Sequence, residues 1–249
     1  MPVTFESAAR IAKEWARSQV RLKSSNKSKL ADPKKRARSQ EAGLWLGKFR
    51  GEMAPFGTDY ASAEDVCAKA DKFLRFGVTP PQWTAWRRGW YTPLRAGNCQ
   101  ELCELAFYYI YKVLGIQVVD LVTLENDGDH VFVVIGQSSW PTLQHSRKRR
   151  YHLNFNNWDD VAWICDPWAN IHCPARVYPT FWRSKMTRWF EKDKWIQLDK
   201  TWFAPNRPSI MEMIVRNPKV SLCPRDLKSP ELALAHAARG GRTLDLSET

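Results

Sequence analysis

Residues 97–115 read GNCQELCELAFYYIYKVLG, and the fold is decided by what this stretch must become. It predicts a helix from Cys99 to Leu114. Asn98 is a good N-cap, Glu101 three residues later completes a capping box, and Gly115 terminates the run. Cys99 then occupies the first helical position, where backbone N–H groups lack intrahelical partners and the helix dipole is positive. A thiolate is stabilised in that setting, so Cys99 is expected to be a better nucleophile than an ordinary cysteine. Gly97 lets backbone approach closely and leaves room for a substrate carbonyl, and the N–H of Cys99 is a natural oxyanion donor. Cys103, one turn on, is expected to pack in the core beside Leu102, Ala106 and Phe107.

C-terminal to this helix the pattern turns to strands. Residues 116–124, IQVVDLVTL, are rich in β-formers, Asn126-Asp127-Gly128 offers a turn, and His130 to Ile135 reads as a second strand. Further strands are expected at Tyr151–Phe155 and Val161–Cys165, the latter ending on Asp166. If the strand opened by His130 and the strand closed by Asp166 pair antiparallel, the two residues share one rim of the sheet. A nucleophilic thiol needs a base within hydrogen-bond reach, and the base needs an orienting acceptor. Of the five histidines, only His130 opens a strongly β-patterned strand after a glycine turn. Asp129, Asp159, Asp160, Asn154 and Asn156 compete with Asp166 for the orienting role.

N-terminal to the helix, Gln82 to Pro93 holds Trp83, Trp86, Trp90 and Tyr91. Trp83, Trp90 and Trp168 are candidate pocket walls, and Gln82 and Asn98 are candidate second oxyanion donors. Thr79-Pro80-Pro81 is expected to stop regular structure. Helices are expected at 41–50 and at 62–75, the second starting near Ser62. Residues 21–40 are polar, basic and proline-broken and read as a mobile arm. Phe5, Ala8, Ile11, Ala12, Trp15 and Ala16 give residues 3–20 the spacing of an amphipathic helix. The expected organisation is a helix and basic arm over 1–40, a catalytic domain over 41–225, and a short helix (229–239) with a tail over 226–249. The segment 178–202 is aromatic and charged, and its first half suits a helix.

Bulk properties bound the reading. The 249-residue chain is 44% hydrophobic and 26% charged, which fits a globular protein and excludes a disordered or fibrous one. No stretch approaches the length of an apolar membrane span, and the N-terminus lacks the apolar run of a signal peptide. Six cysteines in 249 residues are too few for a disulfide scaffold, so free thiols are expected. The expected location is cytoplasmic, or inside a host cell after secretion without a classical signal. The net charge of +12 comes from 38 Lys and Arg against 26 Asp and Glu. It is concentrated in two places: ten basic residues between Lys13 and Arg38 against only Glu14 and Asp32, and Arg147 to Arg150. Contact with an anionic surface through the basic arm is one expectation.

Gly97-Asn98-Cys99-Gln100-Glu101 leading a helix, Asp129-His130-Val131-Phe132, and Ile164-Cys165-Asp166-Pro167-Trp168 resemble the three blocks of the papain-like and transglutaminase-like cysteine enzymes. They look closest to bacterial toxin and effector versions. The resemblance covers roughly residues 95–170. It implies an α+β fold with a nucleophile helix packed on an antiparallel sheet. It also implies that Cys99 is the nucleophile, His130 the general base and then acid, and Asp166 the residue that orients His130. Glutamine deamidases of host proteins, peptidases and transglutaminases share this chemistry, which requires no cofactor or metal. Thirty-five residues separate His130 from Asp166, more than a simple hairpin needs, so 137–158 is an insertion. Two rival classes are a basic nucleic-acid-binding protein, with aromatic and basic residues interleaved, and a metal site at Cys165, His172, Cys173 and Cys223. The spacing of the latter matches no common zinc motif.

Overall fold

Val131–Ile135 is apolar at every position, which suits a strand covered on both faces. The computed structural model describes residues 3–54, 60, 62–124, 130–138, 150–152, 154–198, 201–214 and 219–222. In chain order it begins with α1 (Phe5–Ser18), β1 (Lys27–Ser28), α2 (Pro33–Met53), α3 (Ala63–Arg75), α4 (Pro80–Arg87) and α5 (Cys99–Tyr108). Strands β2 (Val119–Leu124), β3 (Val131–Ile135), β4 (Arg150–His152), β5 (Trp163–Asp166) and β6 (Ile171–Pro174) follow. The described chain closes with α6 (Tyr178–Glu191), β7 (Trp195–Leu198), β8 (Thr201–Phe203), α7 (Pro208–Met211) and β9 (Lys219–Leu222).

The architecture is α+β. Six strands form an antiparallel sheet in the order β4-β9-β2-β3-β5-β6, and β1-β7-β8 form a second antiparallel sheet. Every residue of β3 is buried. Helix α1 packs on α5, β5 and β6, and α5 packs on β2, β3 and β5. The close approach of α1 follows from its buried face, which is alanine at positions 8, 9, 12 and 16. The β2–β3 pairing (Val119 opposite Ile135, Thr123 opposite Val131) and the β3–β5 pairing (Val133 opposite Cys165, Ile135 opposite Trp163) are both antiparallel, which meets the condition for His130 and Asp166 to share a rim.

Helix α3 starts where expected: Ser62 Oγ accepts the Asp65 N–H at 3.2 Å and Asp65 Oδ2 accepts the Ser62 N–H at 3.0 Å. Helix α5 also starts as expected, but its last turn widens into a π-helical segment over Tyr109–Val113 before Gly115 ends it at φ +69°.

Two expectations are corrected. Residues 21–40 are not a loose arm. Asp32 caps α2 by accepting the N–H groups of Lys34 and Lys35, so the helix begins at Pro33 and residue 40 lies within it. Upstream, Leu22 N–H donates to Arg95 O, Gly97 N–H donates to Lys23 O, and β1 pairs with β7. Backbone pairing overrides the polar composition of this segment. Nor do Pro80 and Pro81 stop regular structure. They occupy the first turn of α4, where proline's missing N–H goes unused.

The Asn126–Gly128 turn, Asp129, the insertion's residues 139–149 with most of the second basic cluster, Cys223 and the C-terminal helix lie outside the described residues. Among the described residues no helix is long and apolar enough to cross a membrane. Cys67, Cys99, Cys103, Cys165 and Cys173 form no disulfides.

Two glycines make opposite predictions. Gly136, directly after β3, has φ +82°, and a Cβ there would lie 2.5 Å from the Phe5 ring. Gly136→Ala should destabilise the fold by about 1–3 kcal/mol through strain and overlap. Gly47, inside α2, has open space to 4 Å around the place a Cβ would take, so Gly47→Ala should stabilise by about 0.4–1 kcal/mol. Urea unfolding of the two variants should move in opposite directions; a gain in stability for Gly136→Ala would contradict the geometry.

Candidate active site

The tip of α5 is held from three directions. Glu101 Oε2 accepts the Asn98 N–H at 2.9 Å, and Arg50 from α2 grips the same carboxylate with two bonds, Nε to Oε1 at 2.7 Å and Nη2 to Oε2 at 3.1 Å. Asn98 Oδ1 accepts Ser24 Oγ–H at 2.9 Å and the Ser25 N–H at 3.1 Å. A bidentate arginine–carboxylate pair is geometrically specific, so the start of α5, and Cys99 with it, is fixed rather than frayed. Cys99 is 4% exposed.

One turn on, Cys103 donates its S–H to Val131 O at 3.1 Å. Residues four apart on a helix lie about 6 Å apart along one face, so this bond ties the turn of α5 that follows Cys99 to the first residue of β3. Burial pushes the Cys103 thiol well up, helped by the negative charges of neighbouring acids and thiols. Cys103 is therefore a poor nucleophile.

His130 Nε2 lies 3.1 Å from Asp166 Oδ2. The register explains the contact. Continued by one pair, the β3–β5 ladder sets Asp166 opposite Phe132, which makes it the diagonal neighbour of His130 on the same face. His130 is 2% exposed and Asp166 fully buried. Burial disfavours the carboxylate, but the charge and hydrogen bond of His130, the Ala169 N–H on Oδ1 (2.9 Å) and the Tyr178 O–H on Oδ2 (2.9 Å) outweigh it. The carboxyl is held below its ordinary range. The imidazole is walled by Trp182 (ring centroids 4.8 Å), Trp168 (5.3 Å) and Phe132 (6.1 Å). Nε2 is turned to the carboxylate and also lies 3.3 Å from the Tyr178 hydroxyl.

The segment 24–28 completes the surroundings. Trp168 Nε1 donates to Ser24 Oγ (3.1 Å) and Asn26 Oδ1 (3.0 Å). Lys27 Nζ donates to Trp168 O at 2.6 Å and sits over the rings of Trp168 and Trp189. Burial lowers the Lys27 pKa well below normal, the cations Arg17 and Lys194 lower it further, and the charges at Asp166 and Cys99 oppose the shift.

The other candidates separate. Trp168 lies at the site, whereas Trp90 is 75% exposed and pairs with Arg88. Trp83 stacks on Trp86 at 4.5 Å and lines a cavity of about 640 Å³ with Trp15, Tyr108 and Arg87. Gln82 Oε1 accepts the Thr79 N–H at 3.0 Å at the start of α4. Asn98 stays beside Cys99 with its carbonyl oxygen engaged by Ser24 and Ser25. Asp159 accepts the Ser138 N–H and Asp160 pairs with Arg176, so neither serves His130. Asn154 accepts the Asn156 N–H at a local turn. Three residues escaped the sequence reading: Tyr178, Lys27 and Arg50. None sits in a motif, and their contacts span long stretches of chain: Tyr178 lies 48 positions from His130, Lys27 141 from Trp168 and Arg50 51 from Glu101.

Comparison of the chain with protein-family models, with curated proteins and with solved structures finds no match.

A carboxyl whose folded pKa is lowered contributes stability above its unfolded value and loses it as pH falls through the folded one. From the ordinary value of 3.8, the stability gap between wild type and Asp166→Asn should be full above about pH 4 and shrink below it. Urea unfolding from about pH 2.5 to 7 measures the gap. A gap that is constant across that range would show that Asp166 is not held ionised.

Proposed function

We propose that this chain is a papain-like or transglutaminase-like cysteine enzyme that deamidates glutamine side chains of proteins through Cys99, His130 and Asp166. The observation that carries the reading is the buried His130–Asp166 contact, with α5, whose first residue is Cys99, packed on β3 and β5. The order of parts supports it too: a nucleophile helix, then a histidine strand, then an aspartate strand, on an antiparallel sheet.

The chemistry follows from the geometry. His130 Nδ1 takes the proton of the Cys99 thiol, and Asp166 holds the ring and stabilises the imidazolium that forms. The thiolate attacks the carboxamide carbon. The oxyanion that develops is met by the Cys99 N–H and the positive end of α5. His130 returns the proton to nitrogen and ammonia leaves, giving a thioester. Water, deprotonated by His130, then hydrolyses the thioester to a carboxylate and restores the thiol. The net change is amide plus water to acid plus ammonia.

Near-complete cover of Cys99, His130 and Trp168 favours a slot that admits one side-chain amide over the extended cleft a peptidase needs. The substrate is a protein, and by the effector resemblance a host protein reached by secretion without a classical signal.

Cys99→Ala should abolish turnover while leaving stability within about 1 kcal/mol of wild type, and Cys103→Ser should chiefly lower stability. Iodoacetamide should modify Cys99 faster than Cys103 or Cys165, read by peptide mass mapping. With candidate protein substrates, intact mass should rise by about one dalton per glutamine converted. Chain cleavage would instead identify a peptidase, and undiminished turnover in Cys99→Ala would overturn the assignment.

A further inference from the structure

Beside the Cys99 site the fold gathers cations, and the acid nearest them, Asp166, acts on Arg17, Lys27 and Lys185 through its charge while its hydrogen bonds go to His130, Tyr178 and Ala169. Lys27 and Lys194 approach one indole, with their ammonium groups 4.6 and 5.2 Å from the Trp189 ring centroid. Backbone pairing forces this: Lys27 stands opposite Ile196 in the β1–β7 ladder, two residues from Lys194. Arg17 Nη1 donates to Pro167 O at 2.8 Å, and Lys27 donates to the next carbonyl, Trp168 O. Lys185, on α6 one turn before Trp189, has its pKa lowered by burial and by the charges of Arg188 and Arg17. Burial and the charges of Lys185 and Arg17 do the same to Lys194. Among the described residues none of these four cations has an ion-pair partner. Asp166 is engaged by His130, Glu14 by Arg10, and Asp193 accepts from Trp195.

Arg17, Lys185 and Lys194 carry like charges that repel one another and are partly withdrawn from water, while burial and those charges press Lys27 toward its neutral form. Such an arrangement works against stability unless an anion completes it. Trp168 links it to the chemistry, being in contact with both His130 (5.3 Å) and Trp189 (5.1 Å).

We propose that Arg17, Lys185 and Lys194, beside Lys27 and the buried Trp189, form the docking surface for an acidic segment of the protein substrate, next to the glutamine delivered to Cys99. The inference deepens the proposed function and rests on it for the kind of partner: carboxamides are carried by proteins, which favours an acidic peptide over a nucleic acid or a lipid surface. Carboxylates would pair with the ammonium groups of the partly exposed Lys185 and Lys194 and with the exposed Arg17.

The test uses the full-length Cys99→Ala protein and fluorescence anisotropy of three labelled probes: a glutamate-rich dodecapeptide, a single-stranded 20-mer oligodeoxynucleotide and vesicles containing phosphatidylserine. The peptide should bind, weaken as salt rises, and lose about tenfold or more in affinity in the Lys185→Gln/Lys194→Gln protein. Iodoacetamide modification of Cys99, measured in the same double variant with the native thiol, should keep its wild-type rate. Absence of peptide binding, binding insensitive to the double substitution, or tighter binding of oligonucleotide or vesicle overturns the proposal. Peptide binding that behaves as expected in a protein with no amidase activity would leave the docking surface standing and remove the chemistry. Amidase activity on acidic substrates that is indifferent to the double variant would do the reverse.

Discussion

A carboxylate with no exposed surface is stable only if the groups around it replace the water it has lost. Asp166 meets that condition through His130, Tyr178 and the Ala169 N–H, and the rest of the site is arranged around the demand. Tyr178 must begin α6 where it does, so α6 lies on β6 and brings Trp182 against the imidazole. Ala169 must follow in a tight turn, which brings Trp168 against the same ring, stacked on Trp182. A hydrogen bond to a charged group contributes roughly 1.5–3 kcal/mol, so the loss of any one partner leaves an ion in the interior that the remaining two do not fully solvate.

The second constraint holds the thiol end. Arg50, Glu101 and Asn98 lock the first turn of α5, and Ser24 and Ser25 bind Asn98 from the N-terminal segment. The basic run that looks like a detachable arm is thereby part of the site. Its polarity reflects its position between a helix tip and an aromatic surface, where its hydrogen bonds go to Asn98 and Trp168 and its charges gather beside Trp189. The positive charge of the chain is thus organised by tertiary contacts, with Arg17 and Lys27 brought to Lys185 and Lys194 from far away in sequence.

Local signals carried far at the centre of the chain. The Asn98–Glu101 cap, the capping box at Ser62 and the unbroken apolar run at 131–135 each act over a few residues, and each element formed close to its expected position. His130 and Asp166 could be paired on paper because antiparallel neighbours bring the start of one strand beside the end of the next. Where local cues pointed the wrong way, longer-range contacts had reversed them. The prolines at 80 and 81 open a helix, and residues 21–40 find partners in residues 95–98 and in β7.

The amino-acid order alone determined the helix that carries Cys99, the two strands that end at His130 and Asp166, and the α+β class, because capping and periodicity are properties of neighbouring residues. Only the tertiary structure decided that Tyr178 would complete the buried carboxylate, that Arg50 would fix the helix tip, that Trp83 would stack on Trp86 while Trp90 stays exposed, and that Lys27 and Lys194 would meet at one indole. Those outcomes depend on the packing of distant segments, and no local pattern encodes which surfaces will meet.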